Sequence, residues 1–237
     1  LRSGGKREIT GGVYLVVDPS YGEDHVLSVA KAAMDAGLDV LQLWASWKEE
    51  KSAVGLGRML SELAESYSVP FLVNNDLNIA EKVDADGVHL DGYEPTPASI
   101  RERLGNNTIV GVTCGTDWEK VIHAAADGVT YVSFCSVFPS PSVNVCDLVP
   151  LEMISETRRK IQIPIFASGG VTAENAHKVL QAGADGIAVI SEIMKAKDPG
   201  EATRRLKEIV SKNVSRNRVY SPDLLKSSSQ NAVVSVP

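Results

Sequence analysis

Short apolar runs rich in β-branched residues recur along the chain, and each is followed by a stretch whose apolar positions fall at helical intervals. Val13-Tyr14-Leu15-Val16-Val17 runs into Asp18-Pro19, the pattern of a buried strand entering a loop. Asp24 to Ala36 sets Val26, Leu27, Val29, Ala30, Ala33 and Met34 on one helical face, and Gly37 stops it. Val40-Leu41-Gln42-Leu43-Trp44 predicts a second strand. Lys51 to Tyr67, with Val54, Leu56, Met59, Leu60 and Leu63 sharing a face, predicts a second helix. The same alternation continues with strand Phe71-Leu72-Val73 after Pro70 and a short helix from Leu77 to Val83. It goes on with strand Gly87–Leu90 and a helix from Pro97 to Leu104 closed by Gly105. Strand Thr108–Val112 precedes a helix capped by Asp117 and reaching about Ala126. Strand Thr130–Phe134 precedes a long loop through Ser142 and Asp147 and a helix from Pro150 to Lys160.

The stretch from Pro164 to Ile193 repeats the plan twice in a compact form. Ile165-Phe166-Ala167 is a strand, Ser168-Gly169-Gly170 a turn, and Thr172 the cap of a helix beginning near Ala173. Ala182 to Asp185 is the next turn, Gly186–Ile190 the last strand, and Ser191 the cap of a final helix to about Ser211, broken or kinked at Pro199. Repeated strand-then-helix units joined by short connections imply a parallel sheet, and eight of them at roughly 25 residues each fill a closed barrel. The expected fold class is therefore α/β, a single (β/α)8 TIM barrel. An open doubly wound sheet is the alternative, weakened because no GxGxxG turn follows the first strand. The expected organisation is a flexible leader over 1–11, a barrel domain over 12–212, and a polar, Ser-rich tail over 213–237, disordered or packed on a neighbour.

In a barrel, chemistry sits on the loops after the strands. The two last strand ends suggest an anion cup built from Gly169, Gly170, Ile190 and Ser191, because glycine lets backbone N–H groups approach a phosphate closely. A tight turn without a ligand is the bland alternative for the two glycines. Asp76 at the end of strand three and Asp91 or Glu94 after strand four can converge at the mouth. Hard oxygen ligands beside an anion site suit Mg²⁺ bridging to phosphate oxygens. Asp76 could equally cap the helix at Leu77. His89 lies inside an alternating strand and reads as a satisfied core residue more readily than as a catalyst; His123 and His177 read as helix surface residues. Trp44 and Trp47 offer an aromatic wall or loop packing.

Bulk properties narrow the class. A net charge of −6 speaks against a general nucleic-acid surface, and no apolar run approaches the ~18 residues of a membrane span. Three cysteines, Cys114, Cys135 and Cys146, are an odd number without CxxC spacing, so a reducing cytoplasm is the simplest setting. Cys135 and Cys146 could meet across the sixth loop, but a buried thiol and a loop thiol are the simpler reading.

Taken in order, YLVVD, VLQL, FLVNND, DADGVHL with an acidic loop after it, GVT, YVSFCSVFPSPS, IPIFASGGV and AGADGIAVIS resemble the thiamine phosphate synthase family and its thiazole tautomerase relatives. The resemblance covers roughly Gly12 to Ile209. It implies a transferase that joins hydroxymethylpyrimidine pyrophosphate to thiazole phosphate with release of pyrophosphate, in thiamine biosynthesis. By position it implies Asn75 on the pyrophosphate, Mg²⁺ on Asp76 with Glu94 at the second acidic place, and Thr113 on the pyrophosphate. It further implies Gln42 as the second-strand glutamine, Ser140 and Ser142 on the thiazole phosphate side, and Gly169, Gly170, Ile190 and Ser191 cradling that phosphate. Partners are then small phosphorylated substrates, with a homo-oligomer possible. Three departures stand out: Trp44, Ser46 and Val143 occupy places where the family carries Arg, Lys and Lys. Each charge-assisted contact is worth about 1.5–3 kcal/mol, so their loss bears on the pyrophosphate clamp. Lys48 and Lys51 lie near in sequence. Gly115 stands where the tautomerases place a His, so that activity is not implied. Two alternatives remain: a non-catalytic or regulatory phosphate-binding paralogue, and an enzyme acting on a related phosphorylated heterocycle.

Overall fold

A computed structural model of the chain describes residues 7–44, 50–139 and 148–219. Eight parallel strands, β1 Gly12–Val17, β2 Val40–Leu43, β3 Phe71–Asn74, β4 Gly87–Leu90, β5 Ile109–Thr113, β6 Tyr131–Phe134, β7 Ile165–Ser168 and β8 Gly186–Val189, close in sequence order into a barrel. Helices α1 Glu23–Asp35, α2 Glu50–Tyr67, α3 Leu77–Lys82, α4 Pro97–Leu104, α5 Trp118–Ala126, α6 Leu151–Lys160, α7 Ala176–Gln181, α8 Ser191–Met194 and α9 Pro199–Val219 surround it. The closed (β/α)8 architecture is the one the apolar pattern implied, and most element bounds agree within a residue or two.

The strand pleat divides the chain between two cores. Residues of one parity, such as Val13, Leu15, Leu41, Leu43, Val88, Val110 and Ile187, face outward and join the helices in the larger cluster. Residues of the other parity, Tyr14, Val40, Leu72, Ile109, Tyr131, Phe166 and Ala188, fill the barrel itself.

The floor of the barrel is tied by a repeated device. Asp39, one residue before β2, accepts the Val13 N–H at 2.7 Å through Oδ2 and returns its own N–H to the Val13 carbonyl at 3.0 Å. Asp86 makes the same reciprocal pair with Phe71 at 2.8 Å each way. Thr130 does so with Val110 at 3.0 and 2.7 Å, and Asp185 with Ile165 at 2.8 Å each way. Each clamp joins an odd strand to the even strand that follows it. The side-chain oxygen satisfies an N–H at the first or second residue of the odd strand. Three of the four carboxylate or hydroxyl clamps carry a cation: Lys207 on Asp39, Arg7 on Asp86 and Arg158 on Asp185.

Five local expectations are corrected. The chain from Arg7 onward is not a loose leader, because Arg7 pairs with Asp86 and Glu65 and Ile9 is buried beneath the barrel. Thr172 does not cap α7. Asn175 accepts the Thr172 N–H at 2.8 Å and donates to the Gly170 carbonyl at 2.9 Å, and this turn delays the helix to Ala176. Ser191 is the first residue of α8, with Ile190 as its cap. Pro199 opens a separate helix rather than kinking one, as its missing N–H costs nothing in a first turn. That helix, α9, runs past Asn213 to Val219.

Candidate active site

A cavity of about 500 Å³ opens at the C-terminal ends of the strands. Its wall is the inward parity of the pleat continued to the strand ends: Tyr14 and Val16 from β1, Gln42 and then Trp44 from β2, Asn74 from β3, His89 from β4, Thr113 from β5, Ser133 from β6, Ser168 from β7 and Ala188 from β8. Lower in the barrel the same parity is apolar. The change to polar side chains at this level gives the upper layer hydrogen-bonding groups facing the cavity.

The polar layer is internally bonded. The Tyr14 hydroxyl donates to Gln42 Oε1 and lies 3.0 Å from the Tyr131 hydroxyl. His89 Nδ1 is 2.9 Å from the Tyr131 hydroxyl, and its Nε2 is 2.9 Å from Thr113 Oγ1. The His89 ring stacks on Tyr131, and Phe166 meets both tyrosines edge-on. Gly111 makes room for this arrangement, since a Cβ there would stand 2.0 Å from Tyr131 Cζ. Burial pushes both phenols well above their ordinary range. Burial likewise pulls the His89 imidazole down to about 4, opposed by the Asp91 carboxylate and reinforced by Lys120, so the ring is neutral at physiological pH.

The acidic side of the mouth is organised by Asn75 and Asp91. Asn75 adopts a left-handed φ of 56°, which asparagine tolerates better than most residues. Its Nδ2 donates to Asp91 Oδ2 at 2.7 Å, and the Asp91 N–H returns a bond to its Oδ1 at 2.9 Å. Asp76 caps α3, accepting the Ile79 N–H at 2.9 Å through Oδ1. Glu94 is exposed on the loop after β4. Lys120 reaches over from α5 and donates to the Asp91 carbonyl at 3.2 Å, bringing a cation to this rim. Among the described residues no group of three or more His, Cys, Asp or Glu side chains is assembled to hold a metal ion.

The opposite side is the glycine turn. Gly169 and Gly170 have φ of 80° and 67°, in the left-handed region. A Cβ on Gly169 would lie 2.3 Å from the Ser136 nitrogen, and one on Gly170 would lie 2.5 Å from the Phe138 carbonyl oxygen. Glycine is therefore needed here for the backbone path and for the close approach of the loop after β6. The turn is pinned by Asn175 and by Glu192 of α8, whose carboxylate accepts the Ala173 N–H at 3.0 Å. Gly169, Gly170, Ile190 and Ser191 all line the cavity.

The structure thus brings Gln42, Thr113, Gly169, Gly170, Ile190 and Ser191 to one cavity. Asn75, Asp76 and Glu94 are not among its lining residues, and Asn74 and Asp91 line it on that side. Ser140, Ser142, Ser46, Val143, Lys48 and Cys146 lie outside the described residues, and Lys51 is exposed on α2. Cys135 lines the cavity as a free thiol, while burial pushes the Cys114 thiol up to about 12 and leaves it a core residue. Sequence reasoning missed Tyr14, Tyr131, Asn74 and the part His89 plays. The signal was present as parity: each is an inward-facing polar position in an otherwise apolar strand.

The sequence profile of the family described as Thiamine monophosphate synthase matches residues 13–193. A protein named Thiamine-phosphate synthase from Aromatoleum aromaticum is 34% identical over 189 residues, spanning 80% of this chain and 91% of that relative. One of the same name from Methanobrevibacter smithii is 31% identical, spanning 85% and 96%. Among solved structures, thiamine phosphate pyrophosphorylase from Pyrococcus furiosus superposes with a TM-score of 0.74 at 29% identity, spanning 86% of this chain and 96% of that one.

Proposed function

The chain belongs to the thiamine monophosphate synthase family, and from that premise we propose that it is a transferase joining hydroxymethylpyrimidine pyrophosphate to thiazole phosphate, releasing pyrophosphate, in thiamine biosynthesis. The observation that carries the reading is the single cavity of about 500 Å³ that joins the polar strand-end layer to the glycine turn. Such a volume suits two small heterocycles side by side. In the reaction the bond from the pyrimidine methylene carbon to the pyrophosphate oxygen breaks, and the thiazole nitrogen forms a bond to that carbon. Pyrophosphate leaves with the bonding electron pair.

The chain's own residues divide the work. Gly169, Gly170, Ile190 and Ser191 cradle the thiazole phosphate, with α8 directing its first turn at the anion. Gln42 and Thr113 orient the pyrimidine pyrophosphate. Asn75, which the family resemblance sets on the pyrophosphate, holds Asp91 in place beside the cavity through both atoms of its amide, and Lys120 brings positive charge to the Asp91 side of the mouth. Val16, Trp44 and Ala188 give the cavity an apolar wall beside the polar layer. The family resemblance assigns Ser140 and Ser142, which lie outside the described residues, to the thiazole phosphate.

Mg²⁺ would be held by Asp76, with Glu94 as a second carboxylate. This donor set fits the ion's usual mode of one or two protein carboxylates plus substrate phosphate oxygens and water, which needs no preassembled cage. When bound, it neutralises charge on the departing pyrophosphate. The barrel is expected to act as one domain with small phosphorylated substrates as its partners. No described helix is long and apolar enough to cross a membrane, and the odd cysteine count without CxxC spacing supports a reducing, cytoplasmic setting.

Purified protein mixed with both substrates and Mg²⁺ should form thiamine phosphate, and chelator should stop it. Absence of product with thiazole phosphate still bound would sink the transferase reading and leave a paralogue that retained the cup alone.

A further inference from the structure

Five side chains cross the barrel from β2 to β5 in one unbranched series: Gln42, Tyr14, Tyr131, His89 and Thr113. With one proton on each phenol and one on the neutral ring, the facing of the Gln42 amide fixes the direction of every bond in it. Gln42 turns Oε1 to Tyr14, and a carbonyl oxygen only accepts, so the Tyr14 proton lies on that bond. A phenol has one proton, so across the 3.0 Å to Tyr131 it is Tyr131 that donates. Tyr131 then offers only lone pairs to His89 Nδ1 at 2.9 Å, and Nδ1 must carry the N–H. In the neutral ring Nε2 is then bare, and it accepts the Thr113 hydroxyl proton at 2.9 Å. The two ends face the cavity with opposite characters. Gln42 has amide N–H donors left, and Thr113 has only lone pairs.

Turning the Gln42 amide end for end reverses every bond. Its NH₂ then donates to Tyr14, Tyr14 to Tyr131, Tyr131 to Nδ1, and Nε2–H to Thr113, whose own proton is released toward the cavity. Mixed orders leave two donors or two acceptors facing each other inside a buried network, which is costly. The series has two consistent states and nothing between them.

We propose that this series works as a single polarity relay. His89, Tyr131 and Tyr14 are then positioning residues that couple the facing of the Gln42 amide to whether Thr113 offers substrate a lone pair or a proton. What occupies the cavity rests on the transferase reading; the relay itself does not. A substrate group that brings its own N–H or O–H meets Thr113 in the order present. A bare phosphate oxygen, which only accepts, meets it in the reversed order, and so turns Gln42 around across the barrel.

The test uses the full chain labelled with ¹⁵N-histidine and reads the His89 tautomer by NMR. The free protein should show Nδ1–H. Tyr14→Phe should convert it to Nε2–H, although Tyr14 does not touch His89, because the Tyr131 proton loses its acceptor and turns to Nδ1. An Nε2–H ring in the unaltered protein, or a tautomer unmoved by Tyr14→Phe, would overturn the relay. Neither readout needs turnover, so a failed synthase assay leaves this test intact. In an active enzyme, Tyr14→Phe and Tyr131→Phe should each lower kcat/KM by about ten-fold, and the double variant also by about ten-fold, since a series is broken once. A loss near a hundred-fold in the double variant would show two independent effects and refute the serial link.

Discussion

Acidification tests the buried state of His89. In the folded barrel the imidazole is held neutral, with its protonation pulled down from 6.5 to about 4 chiefly by burial. The unfolded chain therefore binds a proton between those two values that the folded chain refuses. Stability contributed by the neutral ring is complete above about pH 6.5 and is lost progressively as pH falls toward 4. The interval from 6.5 down to about 4, at 1.36 kcal/mol per tenfold change in proton activity, makes that loss about 3 kcal/mol. Against a total stability on the order of 5–15 kcal/mol this is a large fraction. Other groups titrate in the same range, so the quantity to measure is a difference. Urea unfolding of the natural chain and of His89→Gln should be followed by fluorescence between about pH 7 and pH 4, with linear extrapolation to water. The natural chain should lose about 3 kcal/mol more than the variant over that range. Equal losses would mean that the ring takes up its proton without penalty inside the barrel, and the account of a dry, neutral His89 would be refuted.

Three other substitutions probe the rest of the site. Gly170→Ala forces a Cβ to within 2.5 Å of the Phe138 oxygen at a left-handed φ; calorimetry with thiazole phosphate should show affinity down at least about ten-fold, with about 1–2 kcal/mol lost from the backbone conformation alone. Asp76→Asn keeps a good cap for α3 but removes its charge, so the urea midpoint should hardly move while Mg²⁺-dependent turnover falls by about a hundred-fold or more; unchanged turnover would remove Asp76 from the metal site. Gly111→Ala drives a methyl into the Tyr131 ring. It should cost about 1–3 kcal/mol by overpacking, and an unaltered urea midpoint would contradict the tight contact.

The barrel was legible because outward parity is nearly all aliphatic and the helices between strands keep a clear apolar face. The cup was legible because Gly169 and Gly170 are adjacent at a strand end. The polar relay was not, since Tyr14 and Tyr131 look like ordinary aromatic strand residues until closure brings β1 and β6 across the barrel from one another. His89 is both things its surroundings suggested: fully satisfied in the core, and exposed by one edge to the cavity wall. Asp76 presents the cap that local sequence allowed. Thr172 failed as a cap because Asn175, three residues on, competes for the same turn. The leader hid its role for a similar reason: only the folded floor shows Arg7 a partner in Asp86, 79 positions away.

The four reciprocal clamps at the floor also mark where the molecule could be reopened. They staple β1 to β2, β3 to β4, β5 to β6 and β7 to β8, so the barrel is quartered into two-strand modules, each with its own fastening. The seams between modules are crossed by ladder bonds but by no clamp of this kind among the described residues. New chain ends introduced between an even strand and the next odd one, as in the α2–β3 or α4–β5 connections, would leave every fastening whole, whereas ends between β3 and β4 would cut the tether that keeps one clamp local. A circularly permuted chain should thus be better tolerated at every second connection than at its neighbours.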